Sequence, residues 1–427
     1  MHHVDLLARG KFISEDNRGV PMRDIAVIGI GMTPFGKFPE KGLKDLAREA
    51  VAEALADAGI EKGRIEAAYV GNAAAGVMTG QHMIRGQVVL DPLGINRIPI
   101  YNIENACASS SFAFNLACTA VAAGVHDCVL VLGFEKLYHS DKAKSFLALE
   151  SGVDVVDYKN HFRRLEENLG NGEKILSEDG QKRSRLLDVY AFRTRQYMER
   201  YGLTREHFAR LAVKAHRNGA LNSRAQYQEE VTLDEVLASG DVVFPFTRMM
   251  CAPVSDGGAA AIVCSKSVVQ RFASRPIWVS SSVVGSGQVD GGMEEPVTSR
   301  MASKLYETSG IGPNEIDVVE LHDTTSSAEI MYLIELGLCS GEESGKRIET
   351  GYFNLDGGLP VNPSGGLTTK GHPVGATGLA QIYEIVHQLR GTAGGRQVKN
   401  PKVGMTHNGG GILGIDAGAL ALHIFKK

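Results

Sequence analysis

The chain has few cysteines for its length, and they do not cluster. Six cysteines are spread over 427 residues with no CxxC pair. The pattern therefore indicates neither a zinc ribbon nor a disulfide scaffold. We expect no bound metal, and we predict a reducing, cytoplasmic location. The cysteines are Cys107, Cys118, Cys128, Cys251, Cys264 and Cys339.

Long apolar and long basic runs are also missing. No window approaches the length of a membrane-spanning helix, and the first residues lack the basic and apolar regions of a secretion signal. The formal net charge is -4, which argues against nucleic acid or an anionic membrane as the partner. We expect a small-molecule substrate.

The chain is longer than one hydrophobic core usually supports, and it repeats an order of elements. In each half, strand and helix periodicities alternate, which is typical of an α/β sheet. We infer that one βαβαβ unit is duplicated. The predicted elements are strand 25–30, helix 43–58 and strand 65–70 in the first half, and strand 277–284, helix 300–308 and strand 316–321 in the second.

Each half then supplies a turn with a reactive residue, a helix and a further strand. Cys107 precedes a helix at 112–123 and a strand at 128–132, and His372 precedes a helix at 379–390 and a strand at 402–405. Between the halves the sequence becomes charged and helical, which predicts an inserted cap. The predicted domains are an N-terminal half (1–137 and 245–276), a cap (138–244) and a C-terminal half (277–427).

The segment Asn105–Ser111 is the most informative in the chain. It places Cys107 among small residues at the start of a predicted helix, where the helix dipole favours a thiolate. The segment alone also allows a buried, unreactive cysteine in a packing helix. A nucleophilic thiol and a structural one therefore both stay open at this point.

Three histidines lie far downstream of this cysteine. Glycine-rich turns are predicted to present His372 in Gly371–Gly378 and His407 in Thr406–Gly411. His322 follows a predicted strand. Taken singly, His322 could simply close its strand and His407 could be a solvent-facing turn residue.

A glycine pattern after the first strand invites a nucleotide-binding interpretation. Gly29, Gly31 and Gly36 miss the spacing of a GxGxxG turn, so a dehydrogenase is not expected. We predict no tightly bound cofactor.

An ordered set of motifs resembles the thiolase superfamily, most of all its sterol-carrier-protein branch. The resemblance spans nearly everything after Asp24, and its value lies in the order of the whole set. It implies a five-layered α-β-α-β-α fold. The motifs are Asn105–Ser110, Ser255–Ala260, His322-Asp323, Asn362–Gly366, Gly371–Gly378 and His407–Gly411.

The resemblance implies acyl transfer with coenzyme A or an acyl-CoA as substrate. Cys107 would attack the 3-oxo carbon while His372 accepts its proton. His322 and His372 would form the hole for the thioester oxygen, and the backbone N–H groups of Cys107 and Gly409 would form the oxyanion hole for the adduct. The residues that contact CoA stay unknown.

The chain departs from its family at the second catalytic cysteine. Most thiolases place it where this chain has His407, and the sterol-carrier branch usually places it where this chain has Thr324. A Cys-His-His set is seen in decarboxylating ketosynthases. We therefore expect His407 or His322 to carry the α-carbon proton.

Three hypotheses for function follow. The first is a thiolase that cleaves or forms an unusual, branched or aryl 3-oxoacyl-CoA. The second is a thiolase-fold retro-aldol lyase acting on CoA esters, and the third is a non-catalytic acyl-CoA-binding subunit. The resemblance also implies a homodimer or tetramer, with or without a small zinc-ribbon and OB-fold partner subunit.

Overall fold

A computed structural model describes residues 23–169, 175–176, 183–271, 275–289 and 295–427. The first 22 residues of the predicted N-terminal half lie outside the described residues. Residues 170–174 and 177–182 of the predicted cap lie outside them as well. Across the described ranges, no helix has both the length and the apolar character needed to cross a membrane.

The strands are β1 (Ile25–Met32), β2 (Ala67–Gly71), β3 (Ile100–Ile103), β4 (Cys128–Glu135), β5 (Asp241–Val243), β6 (Phe246–Thr247), β7 (Gly257–Ser265), β8 (Ile277–Ser286), β9 (Val318–Glu320), β10 (Val403–Leu413) and β11 (Asp416–Lys426).

The helices are α1 (Leu43–Ala58), α2 (Ala75–Thr79), α3 (Arg85–Leu90), α4 (Ser109–Ala122), α5 (Lys142–Glu150), α6 (Tyr158–Leu169), α7 (Leu186–Tyr201), α8 (Arg205–Ala220), α9 (Leu233–Ala238), α10 (Lys266–Val269), α11 (Val297–Ser309), α12 (Ser326–Glu335), α13 (Gly341–Glu349), α14 (Gly366–Lys370) and α15 (Thr377–Arg390).

One nine-stranded sheet runs through both halves in the order β3-β2-β4-β7-β1-β8-β11-β10-β9. From the centre of the sheet outward, the strands of the two halves follow the same pattern of parallel and antiparallel pairing. β1 is antiparallel to β7, β7 is antiparallel to β4, and β4 is parallel to β2. β8, β11, β10 and β9 repeat these relations in the same order. The repeat confirms the duplicated fold predicted from the sequence.

The two halves of the sheet enclose a shared helical layer. α4 contacts β2 and β4 on one side and β8 and β11 on the other, and α15 likewise contacts strands of both halves. On β7, Ala259, Ala261 and Val263 face this layer. The residues between them face α1 on the outside. With α11 and α12 packed on the outer face of the second half, the order of layers is α-β-α-β-α, as predicted.

The cap lies between β4 and β7 in the chain and is mainly helical, with α5, α6, α7, α8 and α9. Its helix α8 packs against α12, α13 and α14, and α7 packs against α12. The cap therefore rests on the C-terminal half of the fold and brings α7 to the cavity that His322 and His372 line.

One local prediction from the sequence was wrong. The segment Thr406–Gly411 does not form a turn, because it lies within β10 and pairs with β11. The glycines of this segment instead allow neighbouring backbone to approach β10 closely. A Cβ at Gly410 would lie 2.2 Å from the backbone oxygen of Asn105, so only glycine lets β10 pass behind the Cys107 turn.

The starts of α4 and α15 meet in the central layer. A Cβ at Gly378 would lie 2.0 Å from Ser111 Oγ and 2.6 Å from Asn408 Oδ1, which is closer than atoms tolerate. This contact fixes the distance between the two helix ends that carry Cys107 and His372.

We predict that Gly378→Ala lowers the free energy of unfolding by about 1–3 kcal/mol, because the added methyl group overpacks the joint between α4 and α15. Thermal denaturation measures the effect. Gly63→Ala is the matched control, since nothing lies within 4 Å of its Cβ position. Equal melting temperatures for Gly378→Ala and the parent chain would contradict this account of the helix joint.

Candidate active site

A strained turn presents Cys107 just before α4. Ala106 has φ 48°, a left-handed conformation that costs a residue with a Cβ about 1 kcal/mol or more. The turn is held by the N–H of Ala106, which donates to Glu104 Oε1 at 2.6 Å, and by the N–H of Ala108, which donates to the Asn105 oxygen at 2.9 Å. Such backbone strain is commonly found at active sites, where it holds a reactive side chain in a defined position.

Cys107 and His372 are in direct contact. Cys107 Sγ lies 3.3 Å from His372 Nε2, although the two residues are 265 positions apart in sequence. At the other side of the ring, His372 Nδ1 lies 2.8 Å from Thr377 Oγ1. Thr377 Oγ1 donates to the Pro373 oxygen at 3.2 Å, so it accepts from Nδ1. Nδ1 therefore carries the ring proton, and Nε2 is free to accept the thiol proton.

Removal of both side chains from water favours a neutral resting pair. Removal from water raises the pKa of the Cys107 thiol to about 12. Burial lowers the pKa of His372 well below its ordinary value. Burial thus opposes the thiolate that the helix end is expected to favour, because loss of hydration disfavours the charged form.

His322 also has a fixed tautomer. Ser111 Oγ donates to Asn408 Oδ1 at 2.9 Å, which leaves the Asn408 amide nitrogen to donate to His322 Nδ1 at 3.0 Å. Nε2 of His322 therefore carries the proton. Burial lowers the pKa of His322 to about 3, so the ring is a neutral donor. It meets the His372 ring edge to face with centroids 5.1 Å apart.

His407 does not join this cluster. It is fully buried on β10, where its Nε2 lies 3.3 Å from Thr298 Oγ1 and its ring lies 4.1 Å from that of Tyr332. Side chains alternate along a strand, so His407 and Asn408 lie on opposite faces of β10, and His407 shares its face with Gly409. Among the described residues that line the cavity, Tyr332 is present and His407 is not.

The glycines of β10 form one wall of the cavity beside Cys107. Gly409, Gly410 and Gly411 all line it. The backbone N–H of Gly411 forms a hydrogen bond with the Cys107 thiol and lowers its pKa, an effect smaller than that of burial. The sequence indicated Gly409 as the backbone donor of this wall, and the structure adds Gly411 at the sulfur itself.

The cysteine and the two histidines lie close enough together to suggest a metal site. One ligand atom from each of Cys107, His322 and His372 lies within 4.8 Å of the others. Hydrogen bonds engage Nδ1 of His322, both ring nitrogens of His372 and the Cys107 sulfur, however, since His322 Nδ1 accepts from Asn408 and His372 bridges Thr377 and Cys107. The arrangement is that of an acid-base pair with a neighbouring donor.

A cavity of about 970 Å³ opens in front of Cys107. Apolar side chains from α5, α7 and the strand ends line much of it, among them Phe146, Leu149, Leu187 and Ile412. Exposed cations stand at its edge, namely Lys37, Lys142 and Arg248. The cavity therefore suits an elongated ligand with an apolar part and an anionic part.

Several residues of the site were not identified from the sequence. Asn408 and Thr377 stood inside recognised motifs, but only the structure shows that each fixes the tautomer of one histidine. Tyr190 and Arg193 reach the cavity from α7 of the cap. No sequence pattern pointed to them, because helical periodicity does not reveal which distant element a helix face will meet.

Comparison with known proteins agrees with the geometry. The family model for the thiolase N-terminal domain matches residues 25–243, and that for a thiolase C-terminal domain-like region matches residues 293–421. An acetyl-CoA acetyltransferase of Methanothermobacter thermautotrophicus is 36% identical over 411 residues, covering 95% of this chain and 100% of that protein. Human sterol carrier protein 2 is 36% identical over 419 residues, covering 95% of this chain and 72% of that protein.

A third relative is the benzoylsuccinyl-CoA thiolase subunit BbsB of Thauera aromatica. It is 34% identical over 398 residues, covering 91% of this chain and 95% of that protein. Among solved structures, an Ltp2-ChsH2(DUF35) aldolase has a TM-score of 0.75 at 24% identity, covering 95% of this chain and 98% of that chain. Human mitochondrial 3-ketoacyl-CoA thiolase in complex with CoA has a TM-score of 0.67 at 18% identity, covering 95% of this chain and 98% of that chain. The chain thus belongs to the thiolase family and is an acyltransferase.

Proposed function

We propose that the protein cleaves, or in reverse forms, a 3-oxoacyl-CoA through an acyl group carried on Cys107. The observation that supports this most is the contact between Cys107 Sγ and His372 Nε2 at 3.3 Å, with the ring proton held on the opposite nitrogen. A thiol beside an imidazole base that a third group orients is the arrangement that nucleophilic catalysis needs.

The reaction begins with transfer of the thiol proton to His372 Nε2 as Cys107 attacks the 3-oxo carbon. The negative charge that develops on the former carbonyl oxygen is proposed to meet the backbone N–H groups of Cys107 and Gly409. Cleavage of the bond between C2 and C3 then leaves an enolate on the departing acyl-CoA. Its oxygen is proposed to accept from His322 Nε2 and from the now protonated His372.

The cavity supports an acyl-CoA as the substrate. Its cationic edge, with Lys37, Lys142 and Arg248, is proposed to receive the CoA phosphates, since exposed cations attract phosphate oxygens. Its apolar walls give room for the pantetheine chain and for a bulky acyl group. A branched or aryl acyl group is the proposed substrate class, and the relative named for benzoylsuccinyl-CoA agrees with an aryl group.

We predict that the parent chain forms an acyl adduct on Cys107 and that Cys107→Ala forms none. The test is intact-protein mass spectrometry after incubation with 3-oxo-3-phenylpropanoyl-CoA or acetoacetyl-CoA in the absence of free CoA. Cys118→Ala is the matched control, since Cys118 is buried within α4 and lies outside the cavity wall.

An adduct of equal yield on Cys107→Ala would exclude Cys107 as the nucleophile. Cleavage of the probe without any adduct on the parent chain would favour retro-type chemistry that does not pass through an acyl-enzyme, as in the lyase hypothesis. Absence of both adduct and cleavage with either probe would contradict the proposed function for this substrate class.

We also propose that the chain forms a homodimer or a dimer of dimers, with or without a small partner subunit. β3 is the edge strand of the large sheet, and an edge strand offers unpaired backbone groups for a second copy. Tyr101 on β3 is 45% exposed, and it stacks on Tyr69 at 4.8 Å. A two-fold pairing of β3 would cover this aromatic surface.

We predict that Tyr101→Glu dissociates the dimer, because it places two like charges near the two-fold axis. Light scattering at micromolar concentration gives the mass of the parent and the variant. Phe244→Glu is the control, since Phe244 is 56% exposed but lies on the cap. A monomeric parent chain, or a variant that stays dimeric, would contradict the proposed β3 interface.

A further inference from the structure

Cleavage requires a proton that none of the groups above supplies. When the bond between C2 and C3 breaks, the carbanion at C2 must be protonated. His372 has just received the Cys107 proton and faces the sulfur at 3.3 Å. His322 is a neutral donor whose Nδ1 is held by Asn408, so its one ring proton is already engaged in the proposed enolate hole.

Two other candidates in the region are placed unfavourably. His407 lies behind Tyr332 and outside the cavity wall. Cys251 lines the cavity, but its thiol donates to the backbone oxygen of Thr247 at 3.6 Å. His407 is not among the described residues that line the cavity, and the Cys251 thiol is engaged by Thr247, so neither group is well placed to protonate a substrate bound at Cys107.

A tyrosine from the cap meets the requirement. Tyr190 on α7 lines the cavity together with Cys107 and Thr324. Its hydroxyl lies 3.2 Å from the hydroxyl of Tyr332, and it is close enough to Cys107 for the two groups to interact electrostatically. Tyr190 is thus a titratable hydroxyl in the same cavity as Cys107, and the reaction steps above give it no role.

We propose that Tyr190 donates the proton to the α-carbon of the departing acyl-CoA, with Tyr332 as the hydrogen-bonding partner of its hydroxyl. This inference rests on the proposed function, because it concerns a later step of the same reaction. It replaces His407 and His322 as the group in contact with C2. His407 can influence the step only through its packing against Tyr332.

The surroundings hold the Tyr190 hydroxyl in place. Thr194 Oγ1, one turn further along α7, donates to the backbone oxygen of Tyr190 at 2.7 Å. It also lies 2.8 Å from Ser327 Oγ on α12, which ties the two helices together. Tyr332 is itself on α12, so both hydroxyls belong to one rigid helix pair.

The electrostatics suit a proton donor. Burial raises the pKa of Tyr190 above its ordinary value, so the hydroxyl keeps its proton at neutral pH. Arg193 opposes this effect, and its guanidinium lies 6.0 Å from the Tyr332 ring centroid. Arg193 is also ion-paired with the buried Glu335, so the net field of this pair acts on the phenolate that is formed during the step.

The protons balance over one turnover. Cys107 gives its proton to His372, the electron pair of the broken bond goes to C2, and C2 takes the Tyr190 proton. The imidazolium then returns a proton to the phenolate by way of solvent in the cavity. The incoming CoA thiol gives its proton to His372 as it attacks the acyl group, and the departing Cys107 sulfur takes that proton back.

Tyr190→Phe tests the proposal, because it removes the hydroxyl and keeps the ring. Single-turnover cleavage of 3-oxo-3-phenylpropanoyl-CoA should fall by about a hundred- to ten-thousand-fold. Acylation of Cys107 by p-nitrothiophenyl acetate should stay within about threefold of the parent, since it needs only Cys107 and His372. Tyr197→Phe is the matched control on the same helix, where the hydroxyl donates to Glu335 at 2.9 Å.

The two half-reactions separate the possible results. Normal cleavage by Tyr190→Phe would overturn the proposal. A loss of cleavage in His407→Asn or Cys251→Ala alone would identify that residue as the proton donor instead. An equal loss of cleavage in Tyr197→Phe would show that α7 acts through packing. A parent chain that neither acylates nor cleaves would instead contradict the proposed function itself.

If Tyr190→Phe also loses acylation, replacing Tyr190 with 3-fluorotyrosine tests whether its hydroxyl donates the proton. Fluorine keeps the shape of the ring and lowers the pKa of the hydroxyl. Cleavage needs the protonated phenol, so the alkaline limb of its pH profile should move to lower pH. An unmoved limb would overturn the role of Tyr190.

Discussion

The contact between Cys107 and His372 is the interaction on which the rest of the structure depends. The two side chains come from different halves of a duplicated fold and meet at 3.3 Å. Each stands shortly before a helix of the central layer, α4 or α15. The thiol and the imidazole are thereby held next to two rigid elements, whose separation is set by the close packing of Gly378 against Ser111.

A second feature of the site is that hydrogen bonds fix the tautomers of both histidines in opposite senses. Thr377 holds the proton of His372 on Nδ1, away from the thiol. Asn408 leaves the proton of His322 on Nε2. One neutral ring is thereby prepared as a base and its neighbour as a donor, without a charge in the resting site. Electrostatic preorganisation of this kind costs little reorganisation during the reaction.

Much of the fold could be predicted from the sequence. Alternating apolar patterns gave β1, α1 and β8 close to their observed bounds, since the buried faces of these elements impose a regular period. The glycines around His407 misled the prediction, because glycine serves both turns and close approaches. The pattern could not tell that Gly410 faces the Cys107 turn across the sheet.

The candidate site was predictable only in part. Cys107, His322 and His372 meet as the family resemblance implied, whereas His407 packs against Tyr332 and is not among the described residues that line the cavity. Tyr190 could not be found from the sequence, because its position depends on how the cap folds back onto α12. The burial of the pair was not visible in the sequence, where helix position favours a thiolate, whereas removal of both partners from water favours a neutral pair.

The pH dependence of Cys107 alkylation by iodoacetamide tests the neutral pair most directly. With the thiol pKa raised to about 12 and the pKa of His372 lowered, the thiolate fraction should grow about tenfold for each pH unit between about pH 6 and 9. The account predicts that the rate rises steadily over this range and that His372→Asn keeps the same slope. A plateau at neutral pH in the parent chain, lost in His372→Asn, would show a resting ion pair and contradict the account.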